Sequence, residues 1–105
     1  MNLLTAQHVQ QKILAVLFRH LSPTEWDVYL FGSFGRGTAT MASDIDLAVR
    51  GPGPLPPASA ARILADLEEN VPLLRDFDLV DLATANAALR MSIEREGIPW
   101  HLAAA

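Results

Sequence analysis

From Ser43 to Val49 the chain alternates residue by residue, with Ile45, Leu47 and Val49 on one side and Asp44, Asp46 and Ala48 on the other. Successive side chains of an extended strand point to opposite faces, so this stretch predicts a strand with one face in a core and two carboxylates together on the other. The run Asp27 to Phe31, rich in apolar and aromatic residues, stops abruptly at Gly32 and predicts a short buried strand before it. Gly32 to Gly37 then forms a glycine-rich turn between the two.

Around these strands the pattern is helical. Ile13, Leu14, Leu17, Phe18 and Leu21 make the apolar stripe of a helix from about Thr5 to His20, with Thr5 as N-cap. Gly51 to Pro57 holds four of the seven prolines and two of the six glycines and reads as a rigid surface connection. Beyond it, Ala60, Ile63, Leu64 and Leu67 share a helical face, with Ser59 as the expected N-cap and Pro72 ending the helix. Phe77 to Leu82 predicts a third strand, and Ala85 to Glu96 a last helix followed by Gly97 and Pro99. The expectation is an α/β (α+β) fold, a small mixed sheet flanked by helices, with residues 1–105 as a single domain.

A chain of 105 residues that is 50% hydrophobic can supply one core without disulfides or structural metals. The absence of cysteine removes thiol nucleophiles and zinc knuckles, and fits a reducing compartment, with the cytoplasm as the expected location. Met1 to His8 lacks the basic and apolar regions of a signal peptide, and no apolar run approaches the roughly 20 residues of a membrane span. A formal charge of −4 opposes broad binding to nucleic acid. Mean hydropathy of +0.21 is apolar for so small a domain and predicts that some of its surface is an interface.

The chemistry concentrates between Gly32 and Leu47. In Gly32-Ser33-Phe34-Gly35-Arg36-Gly37, glycines let backbone N–H groups approach an anion, the Ser33 hydroxyl can bond a phosphate oxygen, and Arg36 can add a guanidinium. Alone, such a turn is as readily a tight strand-to-helix connection. It is no P-loop, since no Gly-Lys-Ser/Thr follows and Lys12 is the only lysine. Asp44 and Asp46, converging on one strand face, add a cation site to this anion site, although Asp-x-Asp alone is more often a solvated face. Asp78 interrupts the apolar run Phe77, Leu79, Val80, where a carboxylate needs a partner or an edge open to water; Arg62 and Arg75 are the alternative salt-bridge partners. Asp76 and Asp81 remain alternatives as third ligand, with Asp78 preferred as the most interior.

Two unit charges about 4 Å apart repel by roughly 4 kcal/mol at an effective dielectric near 20, so three clustered carboxylates cost on the order of 12 kcal/mol. That rivals the roughly 5–15 kcal/mol stability of a whole domain. Such a cluster needs a cation, or must splay into water or take up protons. Magnesium fits because it prefers oxygen ligands, keeps several waters and accepts substrate phosphates.

Gly32-Ser33, followed after ten residues by Asp44-Ile45-Asp46, resembles the signature of the polymerase-beta-like nucleotidyltransferases. The short chain, the Gly35-Arg36-Gly37 that follows Phe34, the segment Phe77 to Leu82 and the closing Ile93-Glu94-Arg95-Glu96-Gly97 are similar to the minimal nucleotidyltransferases in particular. The resemblance implies a mixed sheet with the Gly-Ser turn after the first strand and the aspartates on adjacent strands. It further implies that Asp44 and Asp46 each contact two Mg2+ ions, that Asp78 holds the one activating the acceptor hydroxyl, and that Gly32 and Ser33, with Arg36 beside them, bind the phosphates of an NTP.

Larger members of that superfamily carry extra domains that grip the acceptor, and none is expected within these 105 residues. The minimal group includes antitoxins encoded beside HEPN-domain ribonucleases, which they bind and in some cases inactivate by adenylylating a tyrosine. The resemblance therefore implies an antitoxin that transfers AMP from ATP to a HEPN toxin, in a hetero-oligomer with it. The alternatives are an antitoxin that neutralises by binding alone and a small-molecule nucleotidyltransferase of the aminoglycoside-modifying kind. His8, His20, Trp26, Trp100, Arg50, Arg90 and Arg95 are read as structural or solvated: His20 beside the first helix's C-terminus, the tryptophans closing the core or an interface.

Overall fold

The computed structural model describes residues 7–32, 44–71 and 76–103. Among these residues the chain runs α1 (Gln7–Leu17), β1 (Asp27–Phe31), β2 (Ile45–Arg50), α2 (Pro57–Asn70), β3 (Phe77–Asp81), α3 (Ala87–Glu96) and β4 (Ile98–His101). The strands form one sheet in the order β3-β2-β1-β4. β1 pairs antiparallel with both β2 and β4, while β2 and β3, joined through α2, are parallel. This mixed sheet with helices on both faces is the expected fold class.

The alternation in β2 divides the core in two. Ile45, Leu47 and Val49 join Val28, Leu30 and Phe77 beneath α1 and α2, which contribute Val9, Ile13, Val16, Leu17, Ile63 and Leu67. Ala48 faces the other way, where Ile93 of α3 and Leu82 close over it with Tyr29, Phe31, Val80 and Leu89. At about 25 cal/mol per Å² of apolar surface removed from water, burying each Leu or Ile contributes roughly 1.5–3 kcal/mol.

The helix ends follow local chemistry. α1 closes at Leu17 and passes into a turn rather than continuing to His20, and the expected Thr5 cap lies outside the described residues. α2 begins at Pro57 and not behind a Ser59 cap, because a proline in the first turn gives up an N–H that would have no partner and already has helical φ. α3 begins at Ala87, two residues later than the pattern suggested, where the Asn86 side chain accepts from Leu89 N–H at 2.8 Å.

Side-chain contacts tie elements together. Asp66 of α2 accepts from His20 Nε2 at 2.7 Å and pairs with Arg19 at 3.3 Å, pinning the turn after α1 to α2. His20 is therefore a tertiary partner and not simply a charge near a helix end. Arg90, read from sequence as solvated, donates to Leu82 O at 3.1 Å and Ala85 O at 3.0 Å, closing the turn between β3 and α3. Trp26 packs its ring over Gly51, where any Cβ would overlap the indole. Among the described residues, no helix is long and apolar enough to cross a membrane.

Candidate active site

Residues paired across a sheet share a face, so register sorts the second face into transverse rows. Tyr29, Ala48 and Val80 form one row, and α3 covers its neighbourhood. Two residues along, roughly 6.6 Å away, the next row is Phe31, Asp46 and Asp78. The face thus changes within one step from apolar to carboxylate.

Asp46 and Asp78 stand opposite each other in the parallel β2–β3 ladder, where adjacent strands lie about 4.8 Å apart. Asp46 is half-buried and Asp78 exposed. Asp44 lies just before β2, exposed, and alternation gives it the face of Asp46. The exposure of Asp78 corrects one step of the sequence argument: β3 is an edge strand, so water and not burial surrounds this carboxylate. Arg62 forms no ion pair with Asp78 among the described residues; Arg75 lies outside them.

Gly32 stands over this row. It follows Phe31, the β1 partner of Asp46, and has φ of +69°, in the left-handed region that favours glycine. A Cβ built there falls on the Asp46 carboxylate, so the backbone of the glycine-rich turn starts against the acidic row. Ser33 and Arg36 lie outside the described residues.

Of the two other aspartates on or beside β3, Asp76 precedes the strand and its carbonyl accepts from Ile45 N–H at 2.9 Å. Asp81 is on the opposite face, in the row of Val28 and Val49. Its carboxylate is already engaged, accepting from Leu55 N–H at 2.7 Å and Ala83 N–H at 3.0 Å. The sequence offered a signal for this: Asp81 lies three positions after Asp78, and an odd interval on a strand changes face.

No three acidic or histidine side chains form a ready-made metal cage among the described residues. Magnesium does not require one, because it is held by one or two carboxylates together with waters and substrate phosphates. The donor set fits: acceptor-only carboxylate oxygens on adjacent strands, beside a glycine that lets a polyphosphate approach backbone. An open cleft of about 340 Å³ lies elsewhere, lined by Arg50, Leu82, Ala83, Arg90 and Glu94. Arg50 is four residues along β2 from Asp46, roughly 13 Å, and its Nη2 already donates to Glu94 at 2.7 Å. The acidic row beneath Gly32, not this cleft, is the candidate site.

Comparison with known proteins gives the family. The protein adenylyltransferase MntA of Shewanella oneidensis is 32% identical over 91 residues, covering 87% of this chain and 64% of MntA. The chain thus spans just under two thirds of that relative's length. A chain in the crystal structure of a toxin–antitoxin with AMP-PNP superposes with a TM-score of 0.75 at 32% identity, over 87% of this chain and 71% of that one. A structure of tri-AMPylated Shewanella oneidensis HEPN toxin in complex with MNT antitoxin superposes with a TM-score of 0.70 at 29% identity, over 90% of this chain and 70% of that one. Residues 11–100 match the family described as polymerase beta, nucleotidyltransferase, and with the strand order and the row of aspartates beneath Gly32 this establishes that the chain belongs to that family.

Proposed function

We propose that this chain transfers AMP from ATP to a protein hydroxyl, a tyrosine of a HEPN-domain ribonuclease toxin, and thereby acts as its antitoxin in the cytoplasm. The observation that carries this is the Asp46–Asp78 rung with Gly32 against it, which puts an acidic row and a phosphate-approachable turn at one end of one face. Kinship with an adenylyltransferase, and with chains of toxin–antitoxin complexes holding AMP-PNP or an AMPylated toxin, supports the donor and the acceptor.

In this reading Asp44, Asp46 and Asp78 hold two magnesium ions, which when bound neutralise charge at the attacking and leaving oxygens. Asp44 and Asp46 sit at the start of a central strand, so their positions are fixed by the core side chains Ile45 and Leu47 that alternate with them. Gly32 and Ser33 take the terminal phosphates, with Arg36 adding charge. Asp78, exposed on the edge strand, faces the side from which a macromolecular hydroxyl arrives. The acceptor oxygen bonds to the α-phosphorus as the bond to the pyrophosphate oxygen breaks; the hydroxyl proton leaves to solvent. The protein mainly orients the groups and offsets their charge.

The test is to incubate the protein with the HEPN partner, magnesium and each NTP, locate modification by mass spectrometry, and assay ribonuclease activity. An AMP-tyrosine on the partner, dependent on Asp44 and Asp46 and accompanied by loss of ribonuclease activity, is the expected result. Neutralisation by an Asp44→Asn, Asp46→Asn double variant as strong as wild type would replace catalysis with inhibition by binding.

A further inference from the structure

Asp81 is the carboxylate of β3 that the acidic row leaves out, and its contacts are specific. One oxygen accepts from Leu55 N–H at 2.7 Å, in the connection between β2 and α2, and the other from Ala83 N–H at 3.0 Å. Its own carbonyl accepts from Thr84 N–H at 3.1 Å and Ala85 N–H at 3.0 Å. A single residue therefore joins the end of β3 both to the segment leaving β2 and to the turn entering α3.

The consequence lies at Asp78. β3 is an edge strand of five residues, supported within the sheet by β2 alone. Its register sets how far the Asp78 carboxylate stands from Asp46. The segment that receives the Asp81 contact contains Pro52, Pro54, Pro56 and Pro57, each with φ fixed by its ring, so the anchor point is stiff. Leu55 itself packs against the core beneath α1 and α2. The parallel pair is thereby held at its C-terminal end by a side-chain contact beyond the ladder, a few residues from the acidic rung.

We propose that Asp81 is a positioning residue for the metal site: by fastening the end of β3 to Leu55 N–H it fixes the separation of Asp78 from Asp46, without itself touching metal or substrate. This rests on the reading of Asp44, Asp46 and Asp78 as metal ligands. It assigns Asp81 a hydrogen-bond-accepting role toward Leu55 N–H, which an amide oxygen can also fill, and not a charge.

Mn2+ binding in the presence of AMP-PNP, followed by electron paramagnetic resonance, tests it without any acceptor. In folded Asp81→Ala the Mn2+ affinity is expected to fall on the order of tenfold, the lower end of what losing a group that orients metal ligands costs. Asp81→Asn keeps one oxygen, for Leu55 N–H, and gives up only the bond from Ala83 N–H in its own turn, so it should stay much nearer wild type than Asp81→Ala, whereas Asp78→Asn should lose binding severely. If Asp81→Ala does not fold, Leu55→Pro removes the same bond from the donor side, with Leu55→Ala as the control that keeps the N–H; a weaker Mn2+ affinity in the proline variant alone supports the anchor. Unchanged affinity in folded Asp81→Ala, or equal affinity in the two Leu55 variants where that pair is used, overturns it. So does an Asp81→Asn loss as large as that of Asp78→Asn, which would make Asp81 a charge or a ligand. Failure of wild type to bind Mn2+ with AMP-PNP would instead overturn the metal-site reading beneath it.

Discussion

Asp46 and Asp78 stand on one rung of the parallel β2–β3 ladder, on the face opposite the main core. Two carboxylates so placed repel by several kcal/mol at an effective dielectric near 20 if both are ionised about 4 Å apart. A cation bound between them would turn that cost into binding. Asp46→Asn should therefore lower transfer by about a hundredfold or more, in the range seen when one charge-stabilising group is removed. Melting of the same variant without metal reads how far relief of that repulsion offsets loss of the carboxylate's own contacts. Steady-state transfer and thermal melting are measured on the same samples, and full activity would remove Asp46 from the mechanism.

Ligand that binds only the folded state raises its melting temperature. Magnesium with AMP-PNP at a hundred times its dissociation constant should stabilise the domain by about 2.7 kcal/mol. Ser33→Ala should reduce the nucleotide-dependent part and spare much of the part due to magnesium alone. Calorimetry showing no nucleotide binding with magnesium in excess would make the fold a vestige.

Gly32 combines φ of +69° with backbone contact against Asp46. Gly32→Ala should cost roughly 1–2 kcal/mol for the left-handed conformation alone. It should also displace the Asp46 carboxylate, so the activity loss is expected to exceed what the melting shift explains. Activity measured well below the variant's melting temperature separates the two effects.

The Asp66 carboxyl lies below its ordinary value, chiefly through the hydrogen bond from His20, with burial opposing and Asn70 and Arg19 assisting. A pKa lower folded than unfolded makes its stabilisation complete above the unfolded value of about 4 and absent once pH falls through the folded value. The melting temperature of Asp66→Asn should therefore trail wild type at neutral pH and converge with it in acid. Melting curves for both proteins from neutral pH down to roughly pH 3 read this directly; a constant gap would mean that the carboxylate's charge is irrelevant to the contact.

Much of this arrangement was legible from local pattern. The alternation from Asp44 to Val49 gave the face of each residue, and the stop at Gly32 gave β1 its end at Phe31. β4 was not legible. It is four residues long, contains Pro99 and shows no alternation; it is a strand because β1 offers an edge, a partner distant in sequence. Nor could periodicity show which residue of β3 faces Asp46. That depends on the crossover through α2 and on contacts at its ends, Asp81 with Leu55 among them. The excess apolar surface expected from composition comes down to Met91, Ile98 and Leu102 as the large exposed hydrophobics among the described residues.

The two strands that share the acidic rung are separated in the chain by the whole of α2. Parallel pairing across a crossover closes a long loop before its contacts repay the lost entropy, so it is a slow, non-local step. A nascent chain that has extended only through β2 carries Asp44 and Asp46 with no third carboxylate beside them. On the proposed reading, chemical competence arrives with the tertiary structure: an unfinished or misfolded copy has the motif but not the rung, and would not use ATP.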